Sequence, residues 1–348
     1  MDNLYFDKDV NLDSITNLKI FVIGYGNQGK AHAHNLRDSG LNVVVGLRDG
    51  SPSAKLAHED GFDCMDISAG VMECDIISIL IPDQCMAEVF KTEIIEYLSP
   101  GKMLIFAHGY NIHFKEILPP PFVDVGMVAP SGPGHAVRKE FLDGNGVPTL
   151  FAIYQDFSGK TKQIILEYSK AIGGTRTCCF QSTFKEETET DLYGEQISLT
   201  GIIPMIINES FKVLLEAGYS PTVSWFVSFY EVKNIADLIS KIGINDFYKA
   251  VSETAEYGGL RQADKLIDDK FKNEMKSALD FIQTGKFHQN WKNESKSNYP
   301  ELKAMRKKLE DSPINEITNK MLKILAVSYT HLRAHETVLD LVCRLLLE

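Results

Sequence analysis

The sequence lacks several features that mark particular classes of protein. No dense run of Lys or Arg occurs in its 348 residues, and the net charge of −11 gives no basic footprint for nucleic acid. The six cysteines form neither a CxxC pair nor a Cys/His metal spacing, and no signal-peptide pattern precedes them. No apolar run approaches the roughly 20 residues that cross a bilayer. We therefore expect a cytoplasmic protein with reduced thiols and with no nucleic-acid or membrane partner.

The composition is that of a folded protein. Hydrophobic residues make up 44% of the chain and charged residues 24%, which excludes a wholly disordered or collagen-like protein. A chain of 348 residues also exceeds the usual size of one domain. We expect two domains of ordinary size, each with its own core.

A glycine-rich turn lies between a predicted strand and a predicted helix near the start of the chain. In "LKIFVIGYGNQGKAHAHNLRDSG" an apolar run precedes Gly24, Gly26 and Gly29, and a helical pattern follows them. Such glycines permit a tight turn, close approach of the backbone to a pyrophosphate, and close packing of the helix on the strand. A glycine-rich turn without a ligand is the alternative, but the order of strand, turn and helix predicts a dinucleotide site at the helix N-terminus.

The end of the next strand indicates which dinucleotide binds. There "LNVVVG" runs into "LRDGSPS", where an NAD site usually carries a carboxylate for the ribose. Arg48 comes first, followed by Ser51 and Ser53, and a forked cation with hydroxyl donors suits a 2′-phosphate. These residues favour NADPH. Asp49 leaves NADH open, because its charge would oppose the phosphate if the side chain pointed inward.

The first half of the chain continues with alternating strands and helices. The segments "CDIISILIP", "MLIFAHGYNIHF" and "VDVGMVAPSGPGH" each end in a turn-rich loop, which predicts an α/β fold with a mainly parallel sheet. Ligands bind beyond the carboxyl ends of such strands, so His108, directly after the strand 103–107, is a candidate catalytic residue. A structural role is the alternative. His113 and His135 also lie in loop-like segments and rank below it.

An acidic segment opens the second half, where long helical patterns replace the strands. In "KEETETDLYGEQ" five carboxylates and one lysine occur within twelve residues, ahead of the apolar run "ISLTGIIPMII". On a helix Glu187, Asp191 and Glu195 lie at i, i+4 and i+8, nearly on one face. Like charges at this spacing repel, and a hard cation such as Mg²⁺ would offset the repulsion. A solvated acidic face is the alternative; the adjoining apolar residues favour a metal.

The chain resembles the short-form (class I) ketol-acid reductoisomerases of branched-chain amino-acid biosynthesis. The similar segments include "GYGNQG", "FAHGYNIHF", "GVPTL", "IGGTR", "TFKEETETDLYGEQ", "EAGYSP" and "ETAEYGG", in the family's order over roughly residues 1 to 325. The resemblance implies a Rossmann domain at 1–182 with a parallel sheet, followed at 183–326 by an all-α knotted helical domain. It also implies a homodimer or higher homo-oligomer, in which the helical domains of two subunits complete each active site.

The resemblance further implies a two-step reaction. Mg²⁺-dependent alkyl migration in 2-acetolactate or 2-aceto-2-hydroxybutyrate, a 2-hydroxy-3-keto acid, is followed by NADPH reduction to a 2,3-dihydroxy acid. By matching position, Asp191 would bridge two Mg²⁺ ions, Glu195 would bind the first, and Glu231 of the partner subunit the second. His108 would be the catalytic histidine, and Glu187 and Ser252 would contact or support the substrate.

The same matching gives the residues expected to touch the cofactor. They are Gly24, Tyr25, Gly26, Asn27, Gln28, Gly29, Arg48, Ser51, Ser53, Asp83, Gln84, Cys85, Met86 and Gly134.

The chain departs from the family pattern at two positions. Val227 replaces a glutamate four residues before Glu231, and valine cannot bind magnesium; Ser131 replaces the usual lysine. Losing a ligand would weaken the second metal and affect isomerisation more than reduction. Three hypotheses remain: a working reductoisomerase, which we favour; a reductase-only or altered-substrate paralogue; and a catalytically silent subunit that binds a partner chain.

The end of the chain has no counterpart in the family. The segment 327–348 could form a helical extension, but it resembles a translated sequencing adapter, and we predict a non-native tail without function.

Overall fold

The computed structural model describes residues 4–48 and 50–325, so Asp49 and the predicted tail lie outside the described residues. The chain forms two compact units, Met1–Leu192 and Tyr193–Glu348. The five cysteines in the described part of the chain form no disulfide, as the sequence predicts.

The first unit is built on one mixed sheet. Its strands are β1 (Leu4–Tyr5), β2 (Lys19–Ile23), β3 (Asn42–Gly46), β4 (Cys64–Met65), β5 (Ile76–Ile79), β6 (Met103–Phe106), β7 (Asp124–Pro130), β8 (Thr149–Gln155) and β9 (Cys179–Gln181). They lie in the order β1-β9-β8-β7-β6-β5-β2-β3-β4. The mainly parallel sheet is confirmed, with two antiparallel pairs, β7–β8 and β1–β9, that the alternation of elements did not predict.

Both faces of this sheet are buried. Ile20 and Val22 of β2 belong to one apolar cluster, whereas Phe21 and Ile23 belong to a second cluster. Successive side chains of a strand point to opposite faces, so a continuous apolar run is what a sheet covered on both sides requires.

Helices and short helical turns cover the sheet. The α-helices are α1 (Asn27–Asp38), α2 (Pro52–Glu59), α3 (Ile67–Glu73), α4 (Asp83–Val89), α5 (Tyr110–His113), α6 (Gly134–Leu142), α7 (Thr161–Ala171) and α8 (Phe184–Gly194). A π-helical turn at Phe90–Ile94 follows α4, and 3-10 turns lie at Asp7–Asp9, Ile95–Tyr97 and Gly174–Arg176. His113 and His135 therefore lie in helices α5 and α6 and not in the loops that the sequence indicates.

The second unit is helical throughout its described residues, which confirms the predicted change of architecture. Its α-helices are α9 (Ile203–Glu216), α10 (Pro221–Trp225), α11 (Glu231–Ala250), α12 (Glu253–Leu266), α13 (Asp269–Gln283), α14 (Lys286–Lys296) and α15 (Pro300–Glu310), and residues 314–325 are also helical. Two π-helical segments, Glu195–Ile202 and Phe226–Tyr230, interrupt the α-helical pattern, and α11 is kinked at Gly243.

The core of the second unit is small. It is formed by the buried side chains of Phe211, Trp225, Ile314 and Met321, and the Trp225 indole nitrogen donates a hydrogen bond of 2.9 Å to Thr318 Oγ1. Many large apolar side chains of this unit stay exposed in the single chain, among them Leu199, Ile206, Val213, Val223 and Ile244.

One helix is longer than the sequence indicates. The helix α8, the π-helical segment after it and α9 form a continuous helix, Phe184–Glu216, whose most apolar stretch has a mean hydropathy of 1.3 and is 11% buried. By length and composition alone it could cross a membrane, contrary to the expectation from apolar runs. Helices of water-soluble proteins pass the same test, so this property does not establish a membrane span.

Candidate active site

The glycine-rich turn has the geometry that a dinucleotide site requires. Gly24 follows β2 with φ of +100°, and a Cβ at Gly29 would lie 2.2 Å from the Gly24 carbonyl oxygen, so α1 packs directly on the turn. A Cβ at Gly26 would meet nothing within 4 Å, and no side chain caps the N-terminus of α1. The first N–H groups of α1 thus face an open approach, which suits a pyrophosphate.

A second loop meets this turn. The Gln28 amide nitrogen donates 2.9 Å to the Gly132 carbonyl, and a Cβ on Gly134 would collide with the backbone of Asn27. Within residues 4–48 and 50–325 the Gln28 Oε1 atom is buried without a hydrogen-bond partner. It is an acceptor that a hydroxyl or amide of a bound dinucleotide can satisfy, so the residues present fit the cofactor.

Tyr25 differs from the other residues of the turn. Its side chain is buried, and its hydroxyl donates 2.8 Å to Asp60 Oδ2 and lies 3.1 Å from His34 Nε2. Lys30 also pairs with Asp60 at 2.7 Å, and these contacts hold the pKa of Asp60 down at about 2. The Tyr25 hydroxyl is therefore already engaged within the protein.

The residues predicted to recognise the adenosine end follow β3. Arg48 is exposed, and Ser51 and Ser53 are half-buried. Ser51 is the N-cap of α2: its oxygen accepts from the Ala54 amide at 3.2 Å, so its hydroxyl hydrogen remains able to donate. Both a cation and a hydroxyl donor are therefore present at this strand end.

The predicted cofactor residues after β5 form the start of α4. Gln84 is exposed, Asp83 and Cys85 are half-buried, and Met86 is buried. Asn111 holds Asp83 through hydrogen bonds of 3.2 Å from its amide nitrogen to the Asp83 carbonyl and Oδ1. Sequence reasoning missed Asn111, although its position three residues after His108 is a signal for it.

His108 lies just beyond the carboxyl end of β6, as predicted, and contacts two acidic residues of α8. Its Nδ1 atom is 2.8 Å from Glu187 Oε1 and 3.7 Å from Asp191 Oδ2. Glu187 is buried, with 7% of its side chain exposed, whereas 48% of the Asp191 side chain is exposed. One atom from each of these three side chains lies within 4.8 Å of the others.

The surroundings of His108 favour its protonated form. Burial alone would lower its pKa, but the hydrogen bond with Glu187 and the charges of Glu187, Asp83 and Asp191 raise the pKa to about 9. Burial, together with the nearby Glu187, raises the pKa of Asp191, although His108 opposes the rise. The cluster is thus rich in negative charge, with the His108 imidazole as its cation.

The donor set indicates which of these side chains could bind a metal. Both oxygens of Glu187 already accept hydrogen bonds, from His108 Nδ1 and from the Gly109 amide, each 2.8 Å long. Asp191 is the more accessible carboxylate, and Mg²⁺ binds one or two carboxylates while keeping several waters. Asp191 fits a magnesium ligand, while Glu187 fits a residue that orients His108.

The remaining predicted residues belong to the second unit, where each has a defined local position. Glu195 is the first residue of the π-helical segment after α8, and Glu231 is the first residue after the other one. Ser252 is the N-cap of α12, accepting from the Ala255 amide at 3.3 Å. Val227 lies in the π-helical segment before Glu231 with 53% of its surface exposed. Single-turn π segments often accompany functional sites.

Comparison with known families accounts for nearly the whole chain. Residues 14–178 match the family model "Acetohydroxy acid isomeroreductase, NADPH-binding domain", and residues 184–326 match "Ketol-acid reductoisomerase, C-terminal domain". The chain belongs to the ketol-acid reductoisomerase family. It is accordingly an oxidoreductase with isomerase activity of the EC 1.1.1.86 type, which uses a nicotinamide cofactor in branched-chain amino-acid biosynthesis.

Solved structures agree with this assignment. The NADH-preferring ketol-acid reductoisomerase from an uncultured archean is 38% identical to this family member, with a TM-score of 0.89 over 92% of this chain and 98% of that one. A semialdehyde dehydrogenase NAD-binding protein from Cupriavidus necator is 15% identical, with a TM-score of 0.58 over 77% of this chain and 99% of that one. 1-Pyrroline-5-carboxylate reductase from Streptococcus pyogenes is 13% identical, with a TM-score of 0.53 over 77% and 98%. The last two show the fold alone.

Proposed function

We propose that the protein converts 2-acetolactate or 2-aceto-2-hydroxybutyrate into the 2,3-dihydroxy acid in the cytoplasm, with NADPH and Mg²⁺. The observation that carries this proposal is the cluster of His108, Glu187 and Asp191 beyond the carboxyl end of β6. We keep domain bounds of 1–182 and 183–326, which the limits of the two matching family models support.

The residues of the cluster would have different roles in the reaction. Glu187 holds His108 through Nδ1, so the other ring nitrogen is directed away from Glu187 and can exchange a proton with a substrate oxygen. Asp191, with Glu195 and with Glu231 of the partner subunit, would hold Mg²⁺. Bound Mg²⁺ supplies Lewis-acid polarisation of the ketone and hydroxyl oxygens, which promotes alkyl migration and reduction. Ser252 would support the substrate.

We propose NADPH over NADH as the physiological cofactor. Arg48 and the free hydroxyl hydrogen of Ser51 support this choice, although the 38% identical archaeal relative prefers NADH. We expect Arg48→Ala to raise the KM for NADPH about tenfold and to change the KM for NADH little, because only NADPH carries the 2′-phosphate. Steady-state kinetics with both cofactors measure this difference, and equal changes for both would remove the argument.

We propose that the protein works as a homodimer or a larger homo-oligomer. The exposed apolar side chains of the second unit support this proposal, because patches of this kind commonly mark protein–protein interfaces. Light scattering after size-exclusion chromatography tests it, and a monomer at micromolar concentration would contradict it.

A reductase without isomerase activity is the second candidate. Val227 at the family's glutamate position favours it, because a metal site that lacks one carboxylate affects the metal-dependent migration most.

The decisive experiment follows NADPH oxidation with 2-acetolactate and, separately, with 3-hydroxy-3-methyl-2-oxobutyrate across a Mg²⁺ titration. The second substrate needs no migration. We expect activity with both. Activity with 3-hydroxy-3-methyl-2-oxobutyrate alone would mean a reductase without isomerase activity. No activity with either compound would point to another substrate or to a catalytically silent subunit.

A further inference from the structure

A second histidine–carboxylate pair lies beside the active-site cluster. His113 Nε2 is 3.3 Å from Glu189 Oε1, and the side chains are only 17% and 9% exposed. His113 closes the short helix α5, five residues after His108 in the same segment. Nothing in the proposed chemistry uses this pair.

The two pairs hold α8 from different sides. Neighbouring residues of an α-helix are about 100° apart around the axis, so Glu187 and Glu189 project about 200° apart. Glu187 contacts His108 at 2.8 Å, while Glu189 contacts His113. The segment 108–113 therefore wraps around α8 and reaches both sides of it.

Thr188, the residue between the two acids, packs against the same segment. Thr188 is fully buried, and a Cβ on Gly109 would lie 2.5 Å from Thr188 Oγ1 and 2.8 Å from the Phe184 carbonyl oxygen. The backbone at Gly109 thus lies directly on α8. Three consecutive residues of the helix, 187–189, are buried, although two of them are acidic.

Contacts on two sides of α8 oppose rotation of the helix about its axis. A single contact, such as that between His108 and Glu187, acts on one side of a helix and leaves rotation about the contact possible. A second contact on the other side opposes that rotation. Asp191 is one turn after Glu187 on the same helix, so its distance from His108 depends on this rotation.

We propose that His113 and Glu189 are positioning residues, which fix the rotation of α8 and thereby hold Asp191 in place for a divalent cation. This inference rests on the proposed function, because it assigns a purpose to the metal site. Partners that orient metal ligands typically change metal affinity by about 10–100-fold when removed.

The test is a Mn²⁺ titration of the full-length protein in its native assembly, without substrate or NADPH, followed by electron paramagnetic resonance. Mn²⁺ prefers the same oxygen ligands as Mg²⁺. We expect His113→Asn and Glu189→Gln each to raise the Kd for Mn²⁺ about tenfold, and the double variant also about tenfold. His113→Gln carries an amide N–H near the place of Nε2, and its Kd for Mn²⁺ should be close to that of the unmodified protein.

Asp38→Asn is the matched control. It breaks the 2.6 Å ion pair between Arg138 of α6 and Asp38 of α1, another contact between two elements of the first unit, and should leave the Kd for Mn²⁺ unchanged. Circular dichroism melts report the stability of every variant, and the KM for NADPH should stay constant in all of them.

Three outcomes would overturn the inference. Unchanged binding in both single variants would mean that the pair is only structural. Weaker binding in Glu189→Gln but not in His113→Asn would mean that the charge of Glu189 acts on the metal without its partner. An effect in the double variant near the product of the two single effects would mean independent actions. If the unmodified protein binds no Mn²⁺, the proposed function itself fails.

Discussion

The two units bury their apolar side chains to very different degrees. The sheet of the first unit is covered on both faces by two large clusters of buried residues, whereas the second unit has a core of four buried side chains and many exposed ones. A domain that is self-contained buries its own apolar surface, and one that is not leaves it for a partner. The difference supports the proposed homo-oligomer, in which another copy of the chain would cover the apolar surface of the second unit.

The largest expected effect comes from removing one predicted metal ligand in each unit, which tests whether the second unit acts through another copy. We expect Asp191→Asn and Glu231→Gln each to reduce kcat for 2-acetolactate by at least about 100-fold, because both would lose a metal ligand. If Glu231 serves the partner's site, co-expressed subunits carrying one change each should regain up to about half of the activity per heterodimer, because one of its two sites is then unmodified. No recovery in purified heterodimers would mean that both acids act within one chain.

Two apolar substitutions, one in each unit, should affect different properties, namely stability in the first unit and association in the second. Ile77→Ala removes a fully buried side chain of β5 and should lower the free energy of unfolding by about 2–5 kcal/mol without changing association. Ile206→Ser acts at a side chain that is 53% exposed in the single chain, so it should weaken association about tenfold or more. Urea unfolding and sedimentation equilibrium measure the two effects. A stable dimer of Ile206→Ser would place the interface elsewhere.

Acid should destabilise the first unit through His32. This side chain is fully buried, and burial lowers its pKa to about 4 from an ordinary value of 6.5. Because the unfolded chain binds the proton more readily, the stability from neutral His32 is present above pH 6.5 and lost as the pH falls toward 4. The full loss is about 3 kcal/mol.

The measurement is the free energy of unfolding as a function of pH for the unmodified protein and for His32→Asn. The variant should be less stable at pH 7, since asparagine fills less of the space that the fully buried imidazole occupies, but its stability should change less between pH 6.5 and 4. Parallel curves for the two proteins would show that His32 does not cause the acid sensitivity.

The smallest expected effect concerns the departure from the family pattern in the second unit. Val227→Glu restores a carboxylate four residues before Glu231 and should lower the Mg²⁺ concentration for half-maximal activity several-fold. Val227→Gln, of similar size but uncharged, is the control. Equal behaviour of the two variants would exclude this position as a ligand site.

The sequence was sufficient for features that local patterns determine. The strand, turn and helix around Gly24 follow from apolar runs and glycines, and the position of Glu187 and Asp191 on one face of α8 follows from their i, i+4 spacing. Their contacts with His108 appear only in the structure. The end of the predicted strand also gave the position of His108 in the fold, just beyond β6.

Features that depend on tertiary contacts could not be predicted. The antiparallel pairing of β7 with β8 has no signal in the alternation of elements, and the π-helical segments beside Glu195 and Glu231 are shifts in backbone hydrogen bonding that residue periodicity does not encode. The side chain of Tyr25 is buried and its hydroxyl donates to Asp60, which lies 35 residues away in the sequence. The pairing of His113 with Glu189 likewise appears only once α5 is packed on α8.

The buried indole in the core of the second unit has a practical consequence. The chain contains two tryptophans, Trp225 and Trp291, and both lie in the second unit. Intrinsic tryptophan emission is therefore an optical reporter of that unit alone, while the thirteen tyrosines are spread over the whole chain. Exciting tryptophan selectively during dilution or denaturation would follow the helical unit independently of the nucleotide-binding sheet, without any added label.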